Sequence, residues 1–455
     1  GGAAAAQLRQ GAPERARPII GIPKLMPVHG APEKTSEEYE AHEEAEGGAE
    51  AHKEAEGGEE AGESAGRAVA GILFLGIFFA SCLFAMAQTA RPHVGNNTVL
   101  VLDNIVAIFL AVLWYQGVDD LTRILPAAHH QLLASIFHAC LMISVAFAVA
   151  YAVRHKSTRI AIICGCGAHY CAFASGHASL SVQEHFFKDH PVQCFLGLSG
   201  ILLALVCGGA VLYQVKRAMG MSPGAESEDE GHNRFIDRFD DVETDFAAMG
   251  LAMYWAMVVQ FSLMGEYPEP EIEPGSKPLH TATDRAMMLG YTVALFVVGP
   301  LAIGKLSALP EMSYFKQRLL ALLSSFIAMS CAFAFLTWGK MQFYEHETFN
   351  VSPILARIAF AAMCSTVTML GILVVSSGQV GGPAGASCLV ALGLIAGFAW
   401  EEVFDAAVED MVEGSRHEKG AKAAIAVLAA AIILPTYSHF IKPKAMQAAK
   451  EETGG

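Results

Sequence analysis

Apolar residues along this chain fall in blocks of roughly 20, the length a helix needs to cross a hydrocarbon core at 1.5 Å per residue. Eleven such blocks can be marked: 68–87, 99–118, 132–153, 160–182, 194–215, 246–265, 286–306, 318–338, 354–376, 387–405 and 421–438. Gly, Ser and Cys interrupt several of them, which membrane helices tolerate and use at close contacts. The connections are polar or rich in Pro and Gly, such as the acidic loop with Pro268, Pro270 and Pro274 and the turn 376–386. The pattern predicts an all-α fold, a polytopic bundle of about eleven transmembrane helices over residues 67–445.

Three blocks share a further pattern. Each runs through apolar residues to a Trp and then turns polar: Trp114 with Gln116 and Asp119, Trp255 with Met257 and Gln260, Trp400 with Glu402 and Asp405. CAFASG at 171–176 and CAFAFL at 331–336 are each followed by Glu-His, at 184–185 and 345–346. Pro300 and Pro435 fall in the second half of the blocks after Trp255 and Trp400. These matches suggest repeat units near 67–190, 191–350 and 351–445, of four, four and three helices. Units of four helices leave every copy pointing the same way, as parallel repeats about an axis along the membrane normal.

Composition agrees with the blocks. Hydrophobic residues make up 53% and charged residues 16%, against about 25% charged in a soluble domain. At 455 residues the length alone would suit two or three soluble domains; the spacing of the apolar blocks argues otherwise. The formal net charge of −15 comes from two segments, 1–66 and 222–245, so the membrane part is near neutral. This acidity argues against nucleic acid as a partner. The ten cysteines lie almost wholly in apolar blocks and read as small packing residues, not a disulfide framework.

Residues 1–66 repeat EAHEEAEGG as EAHKEAEGG and hold few large apolar side chains, so a disordered acidic tail is expected. The linker 218–245 begins with SPGAESEDEG and continues as a short amphipathic segment with Phe235, Ile236 and Phe239 on one side. That suits a helix lying at the membrane surface. Lys and Arg beside the spans are denser on the side of the C-terminus, which puts the N-terminus outside or lumenal and the C-terminus in the cytosol.

Candidate chemistry follows from the polar positions inside the blocks. At 100° per residue, the second and fifth residues after each Trp share a face, opposite the indole. Those faces carry Gln116 and Asp119, Gln260, and Glu402 and Asp405; Glu401 adjoins the last, and Asp103 with Asn104 adds a second polar group near the start of its block. Ionisable groups in membrane helices face a protein interior or a water-filled path, so these seven residues other than Asn104 are candidates for an ion path. The bland alternative places the acids among lipid headgroups, with Trp as an interfacial belt.

Block 160–182 holds Cys164, Cys166, His169 and His177, soft ligands of the kind that take zinc or copper. Their spacing on one helix does not converge tetrahedrally, and packing is the simpler reading. A haem between His138 and a His of this block is the redox variant. No cofactor is expected. No Walker loop, nucleophile elbow or metalloprotease motif is present, which leans against an enzyme and names no catalytic residue.

The run GFAWEEVFDAAVED, residues 397–410, resembles multi-pass membrane proteins of single-celled algae, dinoflagellates in particular, with a weaker echo at 110–120. The resemblance implies a eukaryotic membrane and brings no activity with it. Three functional classes follow from the residues: a transporter or channel for protons or small cations, a membrane scaffold or sensor, and a metal or haem redox protein. The partners implied are the lipid bilayer and, in the first class, the transported ion.

Overall fold

The computed structural model describes residues 74–122, 131–186, 230–264, 280–309, 314–345, 353–378, 380–412 and 418–452, with scattered helical positions between 193 and 215. The acidic tail, residues 218–229 of the linker and most of the block 194–215 lie outside these residues. The elements are α1 (Phe74–Ala87), α2 (Pro92–Thr122), α3 (Gln131–Ala152), α4 (Ser157–Phe186), α5 (Glu230–Met264), α6 (Ala282–Ser307), α7 (Tyr314–Phe343), α8 (Pro353–Ser376), α9 (Gly382–Val412) and α10 (Glu418–Thr436). A π-turn (Tyr437–Ile441) joins α10 to α11 (Lys442–Glu452). Among the described residues there is no strand.

Eight helices are long and apolar enough to cross a membrane: α2, α3, α5, α6, α7, α8, α9 and the combined run through α10 and α11. Two of the eleven expected spans are described and differ. In α1 the described helix is short of a full span. In α4, 30 residues suffice in length, but its His, Ser and Gly leave it less apolar than the other eight.

Side-chain pairs fix the direction of the helices. Asn104 meets Gly393 and Gln116 meets Glu401, so α2 and α9 run the same way. Arg318–Asp240 with Thr337–Gln260, and Ser324–Ser387 with Lys340–Glu402, extend that direction to α5 and α7. The three Trp helices therefore point one way. Their indoles do not share an environment: Trp114 is 53% exposed, Trp255 donates to the Tyr291 hydroxyl at 2.7 Å, and Trp400 donates to Ser365 Oγ at 2.9 Å.

Helix α9 is the axis of the bundle. Its apolar stretch is 72% buried, against 11% for α3, which leaves α3 almost wholly on the outside. The reason lies in Gly393-Leu-Ile-Ala-Gly397, two glycines one turn apart. A Cβ on Gly393 would stand 2.8 Å from Asn104 Cβ, and one on Gly397 would press on Ile108. Small residues at this spacing let two membrane helices approach backbone to backbone, where dispersion contacts and hydrogen bonds replace the missing hydrophobic drive. Around this pair, Tyr115, Phe173, Met249, Phe333, Phe360 and Phe398 from six helices form the main core.

The amphipathic segment of the linker differs from expectation. It does not stop before the next span but runs unbroken into it, as the 35-residue α5. Phe235 and Phe239 are buried against Phe147 of α3 and the start of α4. Their apolar stripe finds protein, which removes the need for a lipid surface on that face. At the start of α6, Thr281 and Asp284 close a reciprocal capping box that satisfies the first helical N–H groups.

Candidate functional site

The predicted path residues do not meet in one central cavity. Apart from Gln260, they fall into two polar layers along α2, on either side of its glycine contact with α9. Along α2, Asp103 and Gln116 stand thirteen residues apart, about 20 Å of helical rise.

The first layer lies beyond the glycines. Glu401 is 2% exposed and its Oε1 accepts from the Gln116 amide at 2.7 Å. It faces α2 because it stands one turn after Gly397, on the stripe that meets α2. Its neighbour Glu402 points across to α7, where Lys340 Nζ lies 3.2 Å from its carboxylate. Tyr344, wholly buried, places its ring beneath that ammonium. Next to Glu401, a cavity of about 30 Å³ is lined by Gln116, Gly117, Asp119, Phe404, Asp405 and Lys422 among others. That is room for one or two waters. Lys422 of α10 also pairs with Glu409 at 2.8 Å.

So Gln116, Asp119, Glu401 and Asp405 come together, while Glu402 is turned away to Lys340. The pairing of Glu402 with Asp405 as one polar face is therefore loosened, and Glu401 is the most enclosed acid of the group. Gln260 is remote from this layer. On α5 it donates to Thr337 Oγ1 at 3.1 Å and serves the α5–α7 contact.

The second layer holds Asp103. Its two carboxylate oxygens accept from Lys442 Nζ at 2.8 Å and from the Tyr437 hydroxyl at 2.9 Å. Tyr437 opens the π-turn and Lys442 directly follows it. Pro443 has no N–H to offer the carbonyl one helical turn back, and the Lys442 N–H bonds instead to Tyr437 O, five residues earlier. The wider turn brings Tyr437 and Lys442 onto the side that faces α2. An ammonium is admitted there because α4 presents Gly165; a Cβ on that residue would stand 3.3 Å from Lys442 Nζ.

The metal-ligand candidates of α4 diverge. Cys164 packs with Phe235 and Phe239, Cys166 lies toward α2 and the π-turn, and His177 stacks on Tyr115 at 5.1 Å. Among the described residues no group of three His, Cys, Asp or Glu side chains could hold a metal. The space between His138 and His177 is filled. The Tyr115 ring is stacked between them, 5.3 Å from His138, whose Nε2 lies 3.0 Å from the Tyr170 hydroxyl. The haem geometry considered from sequence has no room on this axis.

Lys340, Lys442 and Tyr437 were not among the sequence candidates. Both lysines follow an apolar block closely and read as its end. The missed signal was Pro443 beside Lys442 in an Ala-rich stretch that keeps its helical character to residue 452. The class that the fold and these layers define is a multi-pass helical membrane bundle with ion pairs between its spans. No family model, no curated protein and no solved structure matches the chain.

Proposed function

We propose that this protein carries protons or small cations across a membrane, and that the Glu401 layer is on the path. One observation supports it most: a carboxyl 2% exposed within a membrane-length helix has a neutral amide, Gln116, as its direct hydrogen-bond partner. Lys340 is engaged with Glu402. A carboxyl held this way can gain or lose a proton without orphaning a bound cation, and intramembrane acids of this kind mark ion and proton routes. Asp119 and Asp405 in the adjoining cavity supply further oxygen ligands for a water or a cation. The common direction of the three Trp helices supports parallel repeats as the frame. The resemblance of residues 397–410 supports a eukaryotic membrane, and the Lys and Arg bias supports a cytosolic C-terminus, which tag accessibility in intact vesicles would check.

The test is ion flux in proteoliposomes, comparing wild type with Glu401→Gln and with Glu402→Gln plus Asp405→Asn. Flux lost in Glu401→Gln, with a melting temperature near wild type, supports the reading. Equal flux in all three sinks it. The scaffold reading draws on a different observation: Asp103, Glu402 and Glu409 are each held by a lysine from another helix, as pins that lock a bundle. On that reading wild type carries no flux above empty liposomes.

A further inference from the structure

Away from both polar layers, a cavity of about 480 Å³ opens between the end of α6, the first turns of α7 and the start of α9. That volume is in the range of small-ligand pockets. A Cβ on Gly304 would stand 3.6 Å from the Ala384 Cβ, so α6 and α9 are close here. Beside this contact the small side chains of Ser307, Ala321 and Ser324 leave the space open. Their hydroxyls do not make the walls polar. Ser307 Oγ donates to the Gly304 carbonyl at 3.0 Å, and Ser324 Oγ lies 2.5 Å from Ser387 Oγ. Ile303, Leu309 and Leu320 supply apolar surface. The mouth is different. Gln317 lines it and Lys316 precedes it, both exposed. Lys316 stands four residues before Leu320, on the same stripe of α7, and a side chain there leans toward the helix N-terminus. A lysine stem lies along apolar surface while its ammonium stays at the headgroup level. Arg318 is turned to α5, where its guanidinium meets Asp240 and Glu243. Among the described residues no acid lines the cavity.

We propose that this cavity holds one acyl chain of an anionic phospholipid, with the headgroup phosphate at Lys316 and Gln317. The apolar walls take the chain, and the ammonium and the amide N–H groups donate to phosphate oxygens. Charge selects the headgroup: a net negative one is drawn to Lys316, whereas a choline beside it adds like charge. Basic pockets between membrane helices bind anionic headgroups in this way. The position in the bundle agrees. Asn96 Nδ2 donates to Glu451 at 2.9 Å, so the C-terminal end of the chain lies beside the start of α2. Helices α7 and α9 start on that same side. In the orientation proposed above it is the cytosolic side, whose leaflet carries the anionic lipids. Helix α6 has reason to need such a ligand. Its apolar stretch is only 28% buried, and a chain lodged at its end adds contacts that the protein does not supply.

The site stands apart from the transport reading, and binding in detergent tests it without flux or orientation. Full-length protein in dodecyl maltoside is given phosphatidylserine with a diazirine in one acyl chain, irradiated, and mapped by peptide mass spectrometry. Label should fall on residues 303–309 and 317–324, which line the cavity. Unlabelled phosphatidylserine should compete about fivefold better than phosphatidylcholine, the effect of one lysine at a membrane surface. Glycerol 3-phosphate, which has the phosphate without the chains, should not compete. Lys316→Gln should bring the two lipids level. Lys305→Gln should keep the preference, since Lys305 lies on the face of α6 opposite Ile303 and Ser307. Ala321→Phe should fill the cavity and remove the label, with a lipid-free melting temperature near wild type. Lys316→Gln changes only an exposed side chain and carries the test by itself where Ala321→Phe unfolds. Label elsewhere, equal competition by the two lipids in wild type, competition by glycerol 3-phosphate, a preference that survives Lys316→Gln or is lost in Lys305→Gln, or label retained in Ala321→Phe overturns the proposal.

Discussion

The two polar layers along α2 solve the same problem differently. At Asp103 the carboxylate is neutralised by a full countercharge, Lys442, and fixed by a phenol. At Glu401 the acid is deeper, yet its partner is an amide, while Lys340 pairs with the neighbouring Glu402. An ion pair in a low-dielectric interior is costly to break from one side only, because the survivor is left charged and unsolvated. A carboxyl beside an amide can shed its charge by taking a proton. The first arrangement resists change, because removing either charge strands the other; the second permits protonation. Sequence position does not distinguish them, since both are acids set in apolar helices.

The largest test breaks the ion pair. Lys442→Met strands Asp103 and should cost about 3–5 kcal/mol in detergent unfolding. Adding Asp103→Asn should return at least half of that, since both charges then leave together; no recovery would mean that Lys442 stabilises by packing alone. Next comes the glycine contact that holds the two layers in register. Gly393→Leu forces a branched side chain into Asn104 and should cost about 1–3 kcal/mol, read as a lowered melting temperature; an unchanged value would show that α2 and α9 are not in close contact. Glu401→Gln should keep its hydrogen bond to Gln116 and hold stability within about 1 kcal/mol. Its flux should fall about tenfold or more, equivalent to 1.4 kcal/mol at the rate-limiting step. Trp400→Phe removes the bond to Ser365 and should cost about 1 kcal/mol. Trp114→Phe, on an exposed face, should change stability by less than about 0.5 kcal/mol; a larger loss would give the three Trp helices the equivalence that their surroundings lack.

Much of the fold was readable along the chain. The blocks at 99–118, 132–153, 246–265, 286–306, 318–338, 354–376, 387–405 and 421–438 each coincide, but for a terminal residue in two of them, with part of one of the eight membrane-length helices. The site was readable only in part. Gln116, Asp119, Glu401, Asp405 and Asp103 stand out as polar residues in apolar helices. Helical phase alone put Glu402 with Asp405, but the carboxyl of Glu402 turns to Lys340 on α7 and leaves Glu401 to α2. The error at Lys340 and Lys442 has one physical cause. In a one-dimensional reading, a charge after an apolar run ends the span, because a lone charge is unfavourable in lipid. In the bundle each lysine meets a carboxylate from a helix distant in sequence, and the helix carries on past it.

Hydrophobic length by itself determined that this chain is helical and membrane-spanning, since each helix satisfies its own backbone and needs no partner to be recognised. Which acid meets a cation and which meets an amide was settled only by tertiary structure. Those pairings join residues up to 339 positions apart, and they depend on two glycines that let α9 approach α2 and on one proline that rotates a lysine inward.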